Sequence, residues 1–365
     1  MLKCGIIGLP LSGKSTVFNV ITRAGAEVKP YASGKTEPNR ALVNVPDERF
    51  DRLVEIFSPK SEKPADVEFV DLAGLSRDAG KGAGLGSSFL SLVSDSEALL
   101  HVVRVFKNAS VSHPENSIDP LRDFRIVEAE LIYRDLGVIT NRLSRLQEKQ
   151  AKKKLTTQET AELELVKELE AHLLEEKPIR EFSLTDEQRR MISGYAFLTL
   201  KPELVVLNLD DTQTGEVSEL SGLLSELEAK GMKYVRVYGA TEMELEQLEP
   251  EDREEFMKDL AIDEPGRERL IHEAYKLLGL ISFFTSGSDE VRAWTLREGS
   301  TAVEAAGTIH SDLARGFIRA QVVAYDDFIA NGASIAQCRE KGVLRLEGKE
   351  YIVKDGDMIE IRFNV

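Results

Sequence analysis

Cysteine and long apolar runs are both scarce in this sequence of 365 residues. Its two cysteines, Cys4 and Cys338, lie far apart and outside any metal-ligand spacing, which favours buried thiols over a disulfide or a metal site. No stretch approaches the roughly 18 consecutive apolar residues of a membrane helix, and the first residues lack the basic segment and cleavage site of a secretory signal. We therefore expect a cytoplasmic protein without a membrane partner.

Positive charge is also in deficit, since 63 acidic residues outnumber 47 basic ones and the formal net charge is −16. This balance argues against attraction of the whole surface to nucleic acid, and we expect no sequence-specific DNA binding. A local basic patch remains compatible with it. The length exceeds that of one ordinary domain, so two or three domains are expected.

Hydrophobic patterning changes character along the chain. Residues 1–110 alternate short apolar runs with glycine-rich turns and helical stretches, which is typical of a parallel β-α-β sheet. Residues 120–177 contain almost no glycine, and their apolar positions recur at helical spacing, which predicts a helical hairpin with its turn near 154–157. Apolar strands at 203–208 and 233–238 then resume the sheet. The hairpin is therefore predicted to be an insertion.

The last segment, residues 281–365, has a pattern of its own. Short strands are predicted at 292–296, 321–324, 351–353 and 358–363, with one helix around 301–310. This mixture indicates a compact α+β domain.

A phosphate-binding signature opens the chain. Residues 8–16 read GLPLSGKST and match the Walker A pattern, between a predicted strand and a predicted helix. Glycines there let backbone N–H groups surround a phosphate, aided by the positive end of the helix. Lys14 would bridge the β- and γ-phosphates and support catalysis, and the Ser15 hydroxyl would ligate Mg²⁺. The nucleotide contacts are predicted at Leu11, Ser12, Gly13, Lys14, Ser15 and Thr16.

Two further segments stand where a P-loop protein needs them. The strand ending at Asp71 would present a carboxylate to the magnesium shell, Gly74 would bring its N–H to the γ-phosphate, and Thr36 is a candidate switch ligand of the metal. The loop Asn208-Leu209-Asp210-Asp211 follows a buried strand, where nucleotide switches read the base. Ordinary alternatives are a solvated hydroxyl for Thr36 and a strand-ending turn at Asn208.

These motifs together resemble the Obg-like ATPase (YchF) family over essentially the whole chain. The resemblance rests on the Walker A segment, KTEPN at 35–39, DLAGL at 71–75, GKGAGLG at 80–86, HVVR at 101–104, DPLRD at 119–123 and RGFIR at 315–319. It implies an α/β P-loop NTPase fold, with an OBG-type G domain over residues 1–280, a helical insertion at 122–200, and a β-grasp TGS domain at 281–365.

The resemblance also implies a nucleotide, a catalytic group and a partner. ATP is the expected ligand because Leu209 stands where guanine-specific loops have lysine, although Asp211 is the residue type that reads guanine, so GTP stays possible. Leu75 replaces the water-orienting glutamine of Ras-like switches, so hydrolysis should be slow. His113 matches a family histidine that assists it. Leu11 stands where the family has asparagine, which makes potassium stimulation doubtful.

A run of basic residues near the hairpin turn, Arg142, Arg145, Lys149 and 152–154, is the best candidate for a contact with ribosomal RNA. A solvated helix end is the ordinary explanation. The favoured function is a Mg²⁺-dependent ATPase switch that binds the ribosome through its helical arm and TGS domain. The alternatives are a GTP-specific switch and a non-catalytic scaffold stabilised by nucleotide; a small-molecule kinase lacks the arginine-rich lid it would need.

Overall fold

The computed structural model describes residues 3–22, 27–28, 39–71, 93–213, 215, 217–245, 248, 252, 255, 257–258 and 264–364. These residues fall into two compact units, one containing the chain up to Ala41 and from Glu68 to Leu270, the other containing Leu42–Val67 and the chain from Ile271. In the described part of the chain, every helix is too short or too polar to cross a lipid bilayer.

Helices and strands alternate through most of the chain. In chain order they are β1 (Lys3–Ile7), α1 (Lys14–Thr22), β2 (Glu27–Val28), β3 (Asn39–Asn44), α2 (Glu48–Phe57), β4 (Ser61–Lys63), β5 (Asp66–Asp71), β6 (Ala98–Arg104), α3 (Pro120–Ala151), α4 (Thr157–Leu174), α5 (Asp186–Ile192), β7 (Glu203–Asn208), α6 (Ser221–Ala229), β8 (Lys233–Val237), α7 (Gly239–Leu245), α8 (Gly266–Leu277), β9 (Leu280–Ser286), β10 (Glu290–Arg297), α9 (Ala302–Ile309), α10 (Ser311–Arg315), β11 (Phe317–Ala324), α11 (Tyr325–Ala330), α12 (Ile335–Glu340), β12 (Arg345–Glu347) and β13 (Asp357–Phe363).

A mostly parallel sheet forms the centre of the first unit. Its strand order is β2-β3-β5-β1-β6-β7-β8, and the neighbours from β5 to β8 are parallel. Strands β6 and β7 are buried along their whole length, which explains their unbroken apolar runs. The ends of β1, β5 and β7 lie at the same edge of the sheet, because parallel strands share their direction, and ligands bind at this edge in open α/β folds.

Helices α3 and α4 form the hairpin that the periodicity predicts. Asp119 caps α3 by accepting from the Arg122 N–H, with Pro120 at the first helical position. A capping box between Thr156 and Glu159 starts α4 directly after the turn. Facing apolar residues of both helices share one buried core, which includes Ile139, Leu143, Leu146, Leu163, Val166 and Leu169.

The second unit contains a mixed sheet in the order β12-β11-β13-β9-β10-β4. Its apolar core lies between this sheet and α9, which a capping box of Thr301 and Glu304 begins. On α2, the guanidinium of Arg49 lies 5.5 Å from the ring centroid of Phe284 and donates to Asp355.

Residues 42–67 distinguish this unit from the predicted domain of residues 281–365. Strand β4 pairs in parallel with β10, with Ser61 opposite Glu290, so an early segment of the chain completes the C-terminal sheet. Val45 and Ala65 are joined by a backbone hydrogen bond at the base of this excursion. The predicted boundary between residues 280 and 281 gives each domain one continuous stretch of sequence. The second compact unit instead combines two separate stretches, Leu42–Val67 and the chain from Ile271.

Candidate nucleotide site

The Walker A segment forms a tight loop between β1 and α1. A Cβ at Gly8 would lie 2.3 Å from the Val102 carbonyl oxygen, and one at Gly13 would lie 2.1 Å from Asn208 Nδ2. Both residues have positive φ, 142° and 94°. Only glycine fits two positions that combine this backbone conformation with such close neighbours.

Lys14 is folded back over this loop. Its ammonium donates to the carbonyls of Gly8 and Leu9 at 2.9 and 2.7 Å, and the residue is 5% exposed. Burial lowers the pKa of Lys14 to about 8, although the nearby Asp71 carboxylate favours the charged form. A buried ammonium that donates to two neutral carbonyls is suited to receive an anion.

Ser15 and Asp71 meet across the end of the sheet. The Ser15 hydroxyl donates to Asp71 Oδ2 at 3.0 Å, and Asp71 is buried at the end of β5. Residues 56 positions apart in sequence are thereby brought together, as the two motifs predict. Thr36, Gly74 and Leu75, the other predicted switch residues, lie outside the described residues.

The rest of the loop has two faces. The Ser12 hydroxyl oxygen is buried, and it has no hydrogen-bond partner among the described residues. Leu11 has a φ of 62° and its side chain is 53% exposed. Thr16 lies half-buried in the first turn of α1. The side chain of Leu11 therefore points to solvent and offers no oxygen to a cation.

The Asn208 side chain ties the loops of this site together. Its amide donates to the Ser12 carbonyl at 3.0 Å, and its oxygen accepts from the Gly239 N–H. The N–H of Leu209 donates to the Val237 carbonyl at 2.8 Å. Asp211 is exposed. The predicted base loop therefore lies beside the P-loop.

His113 lies beside the P-loop as well. It lines a small cleft together with Asp123, Leu9, Pro10 and Ser12. Its side chain is 6% exposed, and Nε2 lies 2.9 Å from Asp123 Oδ2. The predicted catalytic histidine is thus within the P-loop neighbourhood, although it is separated from Lys14 in sequence by 99 positions, counted from 14 to 113.

Comparison with known proteins extends this description to the whole chain. A family model described as 50S ribosome-binding GTPase matches residues 3–132, and the YchF-GTPase_C model, described as a protein of unknown function, matches residues 280–364. The Ribosome-binding ATPase YchF of Bacillus subtilis is 41% identical over 367 residues, with 100% of both chains covered. The chain belongs to the YchF family. The protein of the same name from Haemophilus ducreyi is 42% identical, with 100% of this chain and 99% of the relative covered.

The solved structure of the Schizosaccharomyces pombe YchF GTPase shares the YchF fold described above. It matches with a TM-score of 0.87 and 32% identity, covering 99% of this chain and 97% of the other. The family resemblance and the α/β P-loop fold predicted from the sequence are therefore confirmed. The match also extends over both compact units of this chain.

A buried ion network at the root of the helical arm was not predicted from the sequence. His101 Nδ1 lies 2.7 Å from Glu203 Oε1, and the Arg180 guanidinium contacts both Glu203 and Glu128. These residues come from β6, β7, α3 and the turn that follows α4. Among the described residues, one group has ligand atoms close enough together for a metal ion: His101, Glu128 and Glu203. The Arg180 guanidinium already pairs with both glutamates of this group.

The two carboxyls of this network are not equivalent. Burial, reinforced by Glu203, raises the pKa of Glu128. Burial also acts to raise the pKa of Glu203, but Arg180 and His101 outweigh it and the pKa falls below its ordinary value. Glu203 is therefore the ionised partner of Arg180. The signal in the sequence was a histidine inside one apolar run, β6, and a glutamate at the start of another, β7.

The basic residues at the tip of the arm divide into two groups. Arg142 and Lys149 pair with Glu162 and Glu159 of the facing helix. Arg145, Lys152, Lys153 and Lys154 are exposed and form no ion pair with any described residue. Four cations of the predicted run are therefore available to a partner.

Proposed function

We propose that this protein is a cytoplasmic, Mg²⁺-dependent ATPase that acts as a nucleotide switch and binds the ribosome. The observation that carries the proposal is the meeting of Lys14, Ser15 and Asp71 at one edge of the sheet. The names of its relatives, which are ribosome-binding ATPases, support the same function. In this interpretation residues 281–365 are the TGS domain, and α3 and α4 belong to the helical insertion of residues 122–200.

Magnesium fits the oxygens of Ser15 and Asp71. Ligands of an octahedral ion at 2.0–2.1 Å lie about 3.0 Å apart when adjacent, and these two oxygens are 3.0 Å apart. We propose both as ligands of the ion, with Thr36 added from the switch segment. The ion would neutralise charge on the β- and γ-phosphates. Lys14 would exchange its two carbonyl acceptors for phosphate oxygens, and Gly74 would contact the γ-phosphate.

ATP is the nucleotide that the base loop favours. Because the Leu209 N–H is already bonded to Val237, the Leu209 carbonyl is the group left to meet the base. A carbonyl accepts from the amino group of adenine, whereas it would repel the O6 oxygen of guanine. Asn208 would support the loop through its bonds to Ser12 and Gly239. Asp211 is the one residue that favours guanine.

Calorimetric titration of the purified protein with ATP and GTP in Mg²⁺ tests this assignment. We expect ATP to bind at least about ten-fold more tightly, since one lost hydrogen bond in a dry site changes affinity by about that factor. A matched variant, Asp211→Asn, should lower any residual GTP affinity and leave ATP binding unchanged. Tighter binding of GTP than of ATP would favour the GTP-specific alternative.

Hydrolysis requires a group that orients water, and we propose His113 for this role. Leu75 offers no hydrogen bond to water, so turnover without a partner should be slow. Single-turnover hydrolysis by a His113→Ala variant at the wild-type rate, with and without ribosomes, would exclude this role.

The ribosome contact is proposed for the tip of the arm. Changing Lys152, Lys153 and Lys154 together to glutamate should weaken co-sedimentation with ribosomes by about ten-fold or more, and should flatten its dependence on salt, because phosphate contacts release counterions. Lys167→Glu is the matched control, since this lysine of the same arm already pairs with Glu164 at 2.9 Å. Because the control reverses one charge and the tip variant three, a control loss of about one third of the tip loss on a logarithmic scale would point to net charge rather than to the tip.

A further inference from the structure

The ring of His113 has no free nitrogen in this arrangement. The Glu115 N–H donates to Nδ1 at 3.1 Å, so Nδ1 uses its lone pair as an acceptor. The proton of the neutral ring must then be on Nε2, which donates to Asp123 Oδ2 at 2.9 Å. A group that orients or deprotonates water needs a ring nitrogen exposed to that water. His113 therefore has to change its partners before it can act on a nucleotide.

Asp123 is itself held firmly in place. It lies in the first turn of α3, is 3% exposed, and its second oxygen accepts from Arg122 Nε and Nη2 at 3.0 and 2.7 Å. The carboxylate consequently has one oxygen for Arg122 and one for His113. An anchored anion is a stable partner for the Nε2–H group, and hydrogen bonds to charged groups are the stronger ones.

Arg104 organises the loop that carries His113. From the end of β6 its guanidinium donates to the carbonyls of Phe106, Asn108, Val111 and Ser112. The loop between β6 and α3 is thus fastened at one end by Arg104 and at the other by Asp123. Among the described residues Arg104 donates to backbone carbonyls, so the hydrogen bonds that act on the imidazole are those with the Glu115 N–H and with Asp123, and Asp123 is the side chain of the two.

We propose that Asp123 is a positioning residue that holds His113 in a resting orientation beside the P-loop. Release of the Nε2–H group from Asp123 would free the ring to turn toward Leu9, Pro10 and Ser12 of the P-loop, which line the same small cleft. Turning the ring gives up the hydrogen bond to the Asp123 carboxylate, which is the charged and stronger one, and the hydrogen bond from the Glu115 N–H. The proposal rests on the function proposed above for His113, and it adds that hydrolysis is restrained by Asp123 until a partner displaces the ring.

A double-mutant cycle on single-turnover ATP hydrolysis tests the proposal. Asp123→Ala, without ribosomes, should hydrolyse ATP about ten-fold faster than the wild type, the factor expected for releasing one hydrogen bond to a charged group. In a His113→Ala background the same change should produce no acceleration. Asp123→Asn, which keeps an acceptor and the size of the side chain, should fall between the wild type and Asp123→Ala.

Other outcomes would overturn the proposal. Slower hydrolysis in Asp123→Ala would mean that Asp123 supports the active orientation, and an unchanged rate would mean that it restrains nothing. Equal acceleration with and without His113 would show that the effect does not pass through the ring. If the wild type does not hydrolyse ATP at all, the proposed function fails. The resting orientation of His113 is then tested by nitrogen NMR alone.

Nitrogen NMR of the wild-type protein, selectively labelled at histidine and free of nucleotide, reads the resting state directly. We expect His113 to show a neutral ring with the proton on Nε2 and an acceptor shift on Nδ1. His113→Gln identifies the signal. A mixture of tautomers, or a proton on Nδ1, would contradict the resting orientation even if the protein is an active ATPase. This measurement also serves if Asp123→Ala fails to fold.

Discussion

Lys14→Met should hydrolyse ATP roughly 100- to 1,000-fold more slowly than the wild type, the loss typical of removing one donor aimed at developing charge. Methionine keeps the length and apolar body of the side chain but removes the ammonium that bonds Gly8 and Leu9. Single-turnover assays with saturating ATP measure the effect. Lys60→Met is the control, because Lys60 is an exposed lysine paired with Asp289 in the second unit.

The protonation state of Lys14 gives a second test of its role, namely proton uptake when ATP binds. Its pKa is lowered to about 8, and phosphate oxygens should raise the pKa again by favouring the charged form. ATP binding should therefore take up a proton above about pH 8, and affinity should fall as the pH rises further. Calorimetry at about pH 9, in buffers of different ionisation enthalpy, should detect this uptake in the wild type and lose it in Lys14→Met.

The stability of Lys14→Met separates a lost donor from a damaged fold. Because the folded pKa lies below the unfolded one, the folded protein disfavours the charged lysine below about pH 8, and this penalty disappears between that value and the ordinary lysine pKa of 10.5. The variant should therefore be at least as stable as the wild type at pH 7. Full partner binding and full cellular activity in this variant, despite its lost hydrolysis, would support the scaffold alternative.

Local patterns were sufficient to predict the P-loop and the helical arm. Gly8, Gly13 and Lys14 act within one turn of backbone, so their spacing in sequence determines their geometry. The arm is a periodic pattern in which every third or fourth residue is buried. Both features can be predicted from residues that are close in sequence, although the close approach of Val102 and Asn208 to the two glycines comes from distant strands.

Contacts between residues that are far apart in sequence could not be predicted from local patterns. Strand β4 has the sequence Ser-Glu-Lys, which carries no apolar alternation, and it is a strand because β10 pairs with it. At 351–353 the predicted strand is wrong: one isolated bridge joins Ile352 to Thr301, where the backbone pairs with the start of α9. In both cases the tertiary partner, which no local pattern contains, decides the structure.

The ion network at the arm root should respond most strongly to mutation of Arg180. Arg180→Met should lower the free energy of unfolding by about 3–5 kcal/mol, because it leaves the buried Glu203 carboxylate without its cation. The side chains of Glu203 and Glu128 are 0% and 8% exposed, so water cannot replace the guanidinium. Arg125→Met is the control: Arg125 pairs with Glu226 but is largely exposed, and its loss should change stability by about 1 kcal/mol or less.

The loss of unfolding free energy in Arg180→Met should depend on pH in a predictable direction. Without Arg180, burial should raise the pKa of Glu203 above the unfolded value of about 4.3. A carboxyl with a raised folded pKa disfavours the folded state increasingly as the pH rises through that range, so the difference between Arg180→Met and wild type should shrink from pH 7 toward pH 5. Urea unfolding followed by far-ultraviolet circular dichroism at both pH values measures it.

Trp294, the single tryptophan of the chain, supplies an internal reference for the same experiment. It lies in the second unit, on β10, whereas Arg180 and its partners lie in the first. Arg180→Met should therefore move the helical transition seen by circular dichroism more than the transition seen by tryptophan fluorescence. Equal shifts at both probes would mean that the whole chain unfolds as one cooperative unit, and an unchanged helical transition would mean that Glu203 finds another partner or a proton at no cost.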